Sequence, residues 1–250
     1  MKTHEKKLAI LDWGIGGIGI YKIIKASHDA AVLYFSDTGA VPYGRMSRTE
    51  LVSRLDNVIK FLGSKGVTDL MIGCNAASTA IPFLAPSEIR VIGVIEKAAE
   101  AALAKKPKCL GLIGGRRTVL SGSYRKIFAA KDVKLKQRIA QPLSALIESG
   151  DTSSEVFRTE AKRILKPLKN CTHILLACTH YPAAAKTLAE FLPDTVQLID
   201  PADHFVSSID LSGMTKGADE FYTTGDIDQM RKSAKAAFGV DIKIAKRLEI

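Results

Sequence analysis

Ile174-Leu-Leu-Ala-Cys-Thr-His-Tyr-Pro182 puts a thiol where an open α/β sheet would present one. Ile174 to Leu176 is a short, continuous apolar run, the pattern of a strand buried on both faces, and Ala177 keeps its end narrow. Cys178, Thr179 and His180 then follow in succession. Ligands of open α/β sheets bind outside the carboxyl ends of the strands, so this cluster faces a crevice. A single cysteine is more often an inert core side chain. A second copy of the pattern separates the two readings: Asp69 to Gly73 reads as a strand that ends at Cys74-Asn75, 104 positions upstream.

Working outward, apolar runs predict strands at Lys7 to Asp12, Val32 to Asp37, Val91 to Ile95, Lys108 to Ile113 and Val196 to Asp200. Leu51, Leu55, Val58, Ile59 and Leu62 fall on one face of a helix over Arg48 to Lys65. Further helices are expected at Ile20 to Ala26, Glu96 to Lys105, Val119 to Ala129, Leu143 to Glu148, Ser153 to Leu168 and Pro182 to Phe191. Strands and helices that alternate at these lengths argue for parallel sheets. Strand-then-glycine-loop occurs near Asp12 and again near Gly114, and strand-then-cysteine occurs at Cys74 and Cys178. Repetition of a whole unit at a near-constant offset predicts two similar lobes, each presenting one cysteine to a shared cleft.

At 250 residues with 46% hydrophobic content the chain can bury a substantial core. Met1 to Lys7 is charged, and Asp12 interrupts the apolar run Leu8 to Leu11 before it could act as a signal sequence or membrane span. A cytoplasmic protein is expected. Four cysteines are too few for a disulfide framework, and none forms a zinc-type pair. The net charge of +10 suits an anionic partner. Its cations are dispersed over Lys105, Lys106, Lys108, the Lys131 to Arg138 segment and Lys243, Lys246 and Arg247, with few aromatics between them. Solvated helix faces fit this spread better than a nucleic-acid surface.

Gly14, Gly16 and Gly19 satisfy G-x-G-x-x-G between a strand and a helix, and Asp37 stands where a ribose-binding acid belongs. An NAD-dependent oxidoreductase is therefore an alternative reading, although any tight strand-to-helix turn favours glycine. Nothing later in the sequence resembles a dehydrogenase substrate site.

Paired thiols suggest other chemistry. Inverting a stereocentre without a cofactor needs a base on one face of the carbon and an acid on the other, each within about 3 to 4 Å. One thiolate can take the Cα proton while a second thiol supplies one from behind. A free thiol titrates near 8.5, so neighbours must help to ionise it. His180 and the helix starts that follow both cysteines are candidates for that help.

With both cysteine segments in view, the sequence resembles the cofactor-independent aspartate/glutamate racemase superfamily, most closely its glutamate-racemising branch. The resemblance rests on Asp12-Trp-Gly-Ile-Gly-Gly, Asp37-Thr with Val41-Pro-Tyr-Gly44, Gly73-Cys-Asn75, Val91-Ile-Gly-Val-Ile-Glu96, Thr118-Val-Leu-Ser121 with Tyr124, Glu148-Ser-Gly150, Cys178-Thr-His-Tyr-Pro182, Ile199-Asp-Pro201 and Phe221-Tyr-Thr-Thr-Gly225. It implies two doubly wound α/β lobes with mainly parallel sheets, related by a pseudo-two-fold axis, with the active site in the cleft between them. Residues 1–97 plus 210–250 would form the lobe carrying Cys74, and residues 98–209 the lobe carrying Cys178. By the same resemblance Cys74 and Cys178 are the acid/base pair, Asp12 supports Cys74, and Glu148 and His180 support Cys178. Trp13, Pro42, Tyr43, Gly44, Asn75, Ala76, Thr118 and Thr179 would meet the substrate. The implied activity is interconversion of L- and D-glutamate for peptidoglycan, with no metal or organic cofactor. The expected partner is a small-molecule amino acid rather than a membrane or nucleic acid, and a homodimer is expected.

Three positions depart from the family pattern: Trp13 and Ala76 replace hydroxyl residues, and Gly115 replaces a common Thr in the second glycine loop. Losing a hydrogen bond to a charged group costs about 1.5 to 3 kcal/mol. Either Trp13 turns into the core, or the cleft takes a different acid of the same superfamily. A degenerate racemase fold kept for binding is a further alternative.

Overall fold

The computed structural model describes residues 6–250. The charged start of the chain, Met1 to Lys7, lies largely outside that span.

The apolar runs form two parallel sheets. The first contains β1 (Leu8–Asp12), β2 (Val32–Ser36), β3 (Asp69–Ile72), β4 (Arg90–Gly93), β9 (Glu220–Thr223) and β10 (Lys246–Arg247) in the order β10-β9-β2-β1-β3-β4. The second contains β5 (Leu110–Gly114), β6 (Leu135–Ile139), β7 (His173–Ala177) and β8 (Gln197–Ile199) in the order β6-β5-β7-β8. The run β2-β1-β3-β4 therefore repeats as β6-β5-β7-β8, the internal repeat expected from the sequence. Every residue of β1 and β5 is buried, which explains their unbroken hydrophobicity. Leu11 pairs with Ile72 in the first sheet and Gly114 with Ala177 in the second. The glycine loops and the cysteines consequently leave equivalent strand ends.

The helices are α1 (Ile18–Ser27), α2 (Arg48–Ser64), α3 (Asn75–Ser78), α4 (Val94–Ala104), α5 (Arg116–Leu120), α6 (Ser123–Ala129), α7 (Gln141–Glu148), α8 (Glu155–Leu165), α9 (Ala185–Ala189), α10 (Ala202–Ser207) and α11 (Ile227–Phe238). Short 3-10 turns at Ile81–Phe83, Lys166–Leu168 and Tyr181–Ala184 finish or precede several of them. Helix α2 starts with a reciprocal capping box between Ser47 and Glu50.

One core cluster joins the sheets, running from Leu8 and Ile10 through Ala98, Ala102 and Phe205 to Leu112 and Leu175. Two others lie on the outer faces, around Leu55 and Leu70 and around Phe157 and Leu176. The C-terminal strands return to the first sheet, where β9 pairs with β2.

Two local expectations need correction. Val119 to Ala129 is two helices, because Gly122 adopts a left-handed φ of 75° that ends α5 and caps α6. The Lys131 to Arg138 segment is no helix face: Leu135–Ile139 is edge strand β6, in which charged Lys136 and Arg138 alternate with Leu135, Gln137 and Ile139. No helix among the described residues is long and apolar enough to cross a membrane.

Candidate active site

Cys74 leaves the end of β3 and Cys178 the end of β7. Both line one cavity of about 340 Å³ in the cleft. The same cavity is lined by Asp12, Trp13, Pro42, Tyr43, Gly44, Asn75, Ala76, Thr118, Glu148, Thr179 and His180, so every site residue expected from the sequence faces a common space. Arg45, Arg116, Arg117, Gln141, Ser144 and Ala145 also line it and carried no sequence signal of their own.

On the second-lobe side, His180 is 5% exposed, with Nδ1 3.5 Å from the Cys178 sulfur and Nε2 2.6 Å from Glu148 Oε2. Burial alone would push the imidazole down. The Cys178 sulfur and the Glu148 carboxylate overcome this and hold His180 well above its ordinary value. Glu148 Oε2 also accepts the Ile15 N–H at 2.9 Å, which ties the base of α7 to the first glycine loop.

On the first-lobe side, Asp12 is 1% exposed and accepts Thr179 Oγ1–H at 2.7 Å and the Trp13 N–H at 2.7 Å. Burial raises its carboxyl above the ordinary value, outweighing His180 and the hydrogen bonds. Burial, reinforced by the Asp12 charge, also holds the Cys74 thiol well above its ordinary value against N–H bonds from Ala77 and Trp13. The expectation that a helix start would lower this thiol fails because α3 has only four residues and desolvation dominates.

The first glycine loop has a different purpose from dinucleotide binding. A Cβ on Gly14 would lie 2.0 Å from Glu148 Oε2, and one on Gly16 would lie 2.3 Å from Thr179 Oγ1. The space that a pyrophosphate would need is filled by the opposite lobe's side chains. Asp37, the supposed ribose ligand, is fully buried and accepts Tyr43 Oη–H at 2.6 Å, Arg54 Nε–H at 2.8 Å and Thr224 Oγ1–H at 2.8 Å. It anchors Tyr43, and through it the Pro42-Tyr43-Gly44 wall.

The three departures from the family pattern all face the cavity. Trp13 is half-buried against the first-lobe core with its Nε1–H donated to Ala40 O at 3.1 Å, yet its side still lines the cavity. The Ala76 side chain contributes no polar atom. In front of Gly115 stands Gln141: a Cβ on the glycine would lie 3.1 Å from Gln141 Oε1, which accepts the Arg116 N–H at 3.1 Å. Asn75 is 3% exposed; its Oδ1 accepts Tyr124 Oη–H at 2.7 Å, while its buried Nδ2 has no partner. Among the described residues no cluster of three or more His, Cys, Asp or Glu side chains is arranged to hold a metal.

Comparison with known proteins agrees with this geometry. A family model described as Asp/Glu/Hydantoin racemase matches residues 20–209. The chain is 31% identical to a glutamate racemase of Lactobacillus helveticus (strain DPC 4571), with 94% of each chain covered. It is 29% identical to one of Thermoanaerobacter sp. (strain X514), with 98% of each covered. The crystal structure of a glutamate racemase isoform from Bacillus anthracis superposes with a TM-score of 0.88 at 25% identity, covering 99% of this chain and 98% of that one.

Proposed function

Because the chain belongs to the Asp/Glu/Hydantoin racemase family, we propose that it is an isomerase that interconverts L- and D-glutamate by a two-thiol proton exchange at Cα, supplying D-glutamate for peptidoglycan. The observation that carries this reading is the convergence of Cys74 and Cys178 on one cavity from equivalent strand ends of two repeated sheets. The amino acid lies between the two sulfurs. One sulfur, as thiolate, takes the Cα proton; the electron pair left on Cα is protonated from the opposite face by the other thiol, and the stereocentre inverts.

The two sides are supported differently. Cys74 rests as a neutral thiol, ready to donate, and Asp12, raised by burial, can hold its proton when the reaction runs the other way. His180, kept protonated by Cys178 and Glu148, places a positive charge 3.5 Å from the Cys178 sulfur. Asn75 Nδ2 and Thr179 hold the substrate's α-carboxylate and ammonium ends, and Pro42, Tyr43, Gly44 and Thr118 form the wall around its side chain, with Trp13 and Ala76 completing the lining.

The same reading places the enzyme in the cytoplasm, where its free thiols stay reduced. It assigns residues 1–97 plus 210–250 to one lobe and 98–209 to the other. It also makes the enzyme a homodimer, and Val41, Phe83, Leu120, Val156, Ile244 and Ile250 are the large apolar side chains exposed for such an interface among the described residues. Sedimentation velocity distinguishes dimer from monomer. The test of the activity is polarimetry of L- and of D-glutamate with purified protein. Both should relax to the same optically inactive mixture, and no change from either enantiomer would sink the proposal.

A further inference from the structure

Arg117 stands out among the cavity residues because it is a half-buried cation with no anion. It lies on α5, and Arg54, Arg90, Arg158, Arg163 and Arg231 each have a carboxylate within ion-pair distance whereas Arg117, among the described residues, has none. Its Nε–H is donated to Thr79 Oγ1 at 2.9 Å and an Nη1–H to Met46 O at 2.7 Å, both neutral acceptors across the cleft. A guanidinium has five N–H donors, so three are left over. Burial and then nearby Arg48 both press on its charge. An unpaired, partly desolvated cation in a pocket wall is costly unless something anionic joins it.

The surroundings say what that anion is. Hydroxyls that relatives of this pattern would use are missing at Trp13, Ala76 and Gly115, all of which line the same cavity. Arg45 and Arg116 also face it but are exposed, so water screens them. Asn75, beside Cys74, offers a free amide donor for one carboxylate.

We propose that Arg117 binds the side-chain carboxylate of the substrate and sets the enzyme's preference for dicarboxylic over neutral amino acids, replacing hydroxyl contacts that this chain lacks. The assignment rests on the racemase reading above. Its forked donors suit a carboxylate better than a single hydroxyl does. Because the same side chain already bridges the lobes through Thr79 and Met46, substrate docking on Arg117 also reinforces the closed cleft.

The test compares L-glutamate with L-glutamine, which has nearly the same shape but an uncharged amide in place of the side-chain carboxylate. Specificity is read as the ratio of their kcat/KM values for Cα deuterium exchange, and in parallel as the ratio of their Kd values by titration calorimetry, which needs no turnover. In Arg117→Gln the ratio should fall roughly 30-fold or more, carried by KM for glutamate, with kcat within about threefold. Arg117→Lys should lie between that variant and the wild type, and it serves as the test should Arg117→Gln fail to fold. Thr79→Val removes one of the two acceptors that hold Arg117, together with the Thr79 Oγ1–H donation to Ala76 O, but keeps the guanidinium, and should lower the ratio by much less than Arg117→Gln. An unchanged ratio in Arg117→Gln, or an equal loss for both amino acids, overturns the assignment while leaving the racemase reading intact. Glutamate binding without exchange in the wild type overturns the racemase reading alone, and failure to bind either amino acid overturns both.

Discussion

Glu148 Oε2 lies 2.6 Å from His180 Nε2, and against the cost of burial the Cys178 sulfur and then this contact keep the imidazole charged. The pair has a consequence for stability. His180 titrates higher in the folded protein than in the unfolded chain, where its value is about 6.5. Its contribution is therefore fully present below that pH and is lost as the pH rises through the folded value. The Tm of the wild type should fall with rising pH above about 6.5, and His180→Asn should flatten that part of the profile. Parallel profiles for the two proteins would contradict the raised value.

Gly14 and Gly16 are required by the second lobe rather than by their own loop. Gly14→Ala would push a methyl to 2.0 Å from Glu148 Oε2, and the carboxylate must leave His180 to make room. Because Glu148 is a flexible side chain, the fold should survive with a loss of about 1 to 3 kcal/mol. Activity should fall roughly 100-fold, the cost of misplacing a positioned group by about an ångström. Urea unfolding and polarimetry on the same preparation separate the two effects, and a fully active Gly14→Ala protein would show that Glu148 has no such role.

Tyr124 reaches from α6 to fix the Asn75 amide in the other lobe. Its phenol is held well above its ordinary value by burial and then by the Glu96 and Cys178 charges, so it stays a donor. With Oδ1 engaged, Nδ2 is the atom left for substrate. Tyr124→Phe deletes one hydroxyl at a fully buried position. We expect KM to rise about tenfold, with kcat changed much less and a stability loss of about 1 kcal/mol. Unaltered steady-state kinetics would remove Tyr124 from the account.

Much of this architecture was legible in the sequence, for physical reasons that particular residues show. Ile174 to Ala177 and Leu8 to Leu11 read as strands because both faces are buried, and the 104-residue offset of the cysteines reappears as equivalent strand ends. Strand β6 escaped because an edge strand keeps its alternate charged side chains in water, and Lys136 and Arg138 looked like a solvated run. Strands β9 and β10 gave only a weak signal because they are short, and β10 has two exposed residues. In the site, Cys74 and Cys178 were found by motif, but Gln141 and Arg117 were not. Their significance depends on contacts with Gly115, Thr79 and Met46, which lie far away in the chain or carry no charge pattern.

Trp13 resolves the choice posed by the sequence only halfway, since its ring packs on the core and still walls the cavity. Trp13→Ser should enlarge the cavity and restore a hydroxyl. The expected result is a lower KM for glutamate together with a stability loss of about 2 kcal/mol, less than for a fully buried tryptophan. A raised KM would mean that the indole itself holds the substrate.

The central claim is that two thiols on opposite faces of Cα share the work, and proton exchange in D₂O tests it most directly. Wild-type protein racemising either enantiomer of glutamate should place solvent deuterium at Cα of the product, and Cys74→Ser and Cys178→Ser should each lose racemisation by about 1,000-fold or more while keeping the wild-type fold by circular dichroism. Racemisation that persists in either serine variant, or product that retains its original Cα hydrogen, would contradict the two-thiol account.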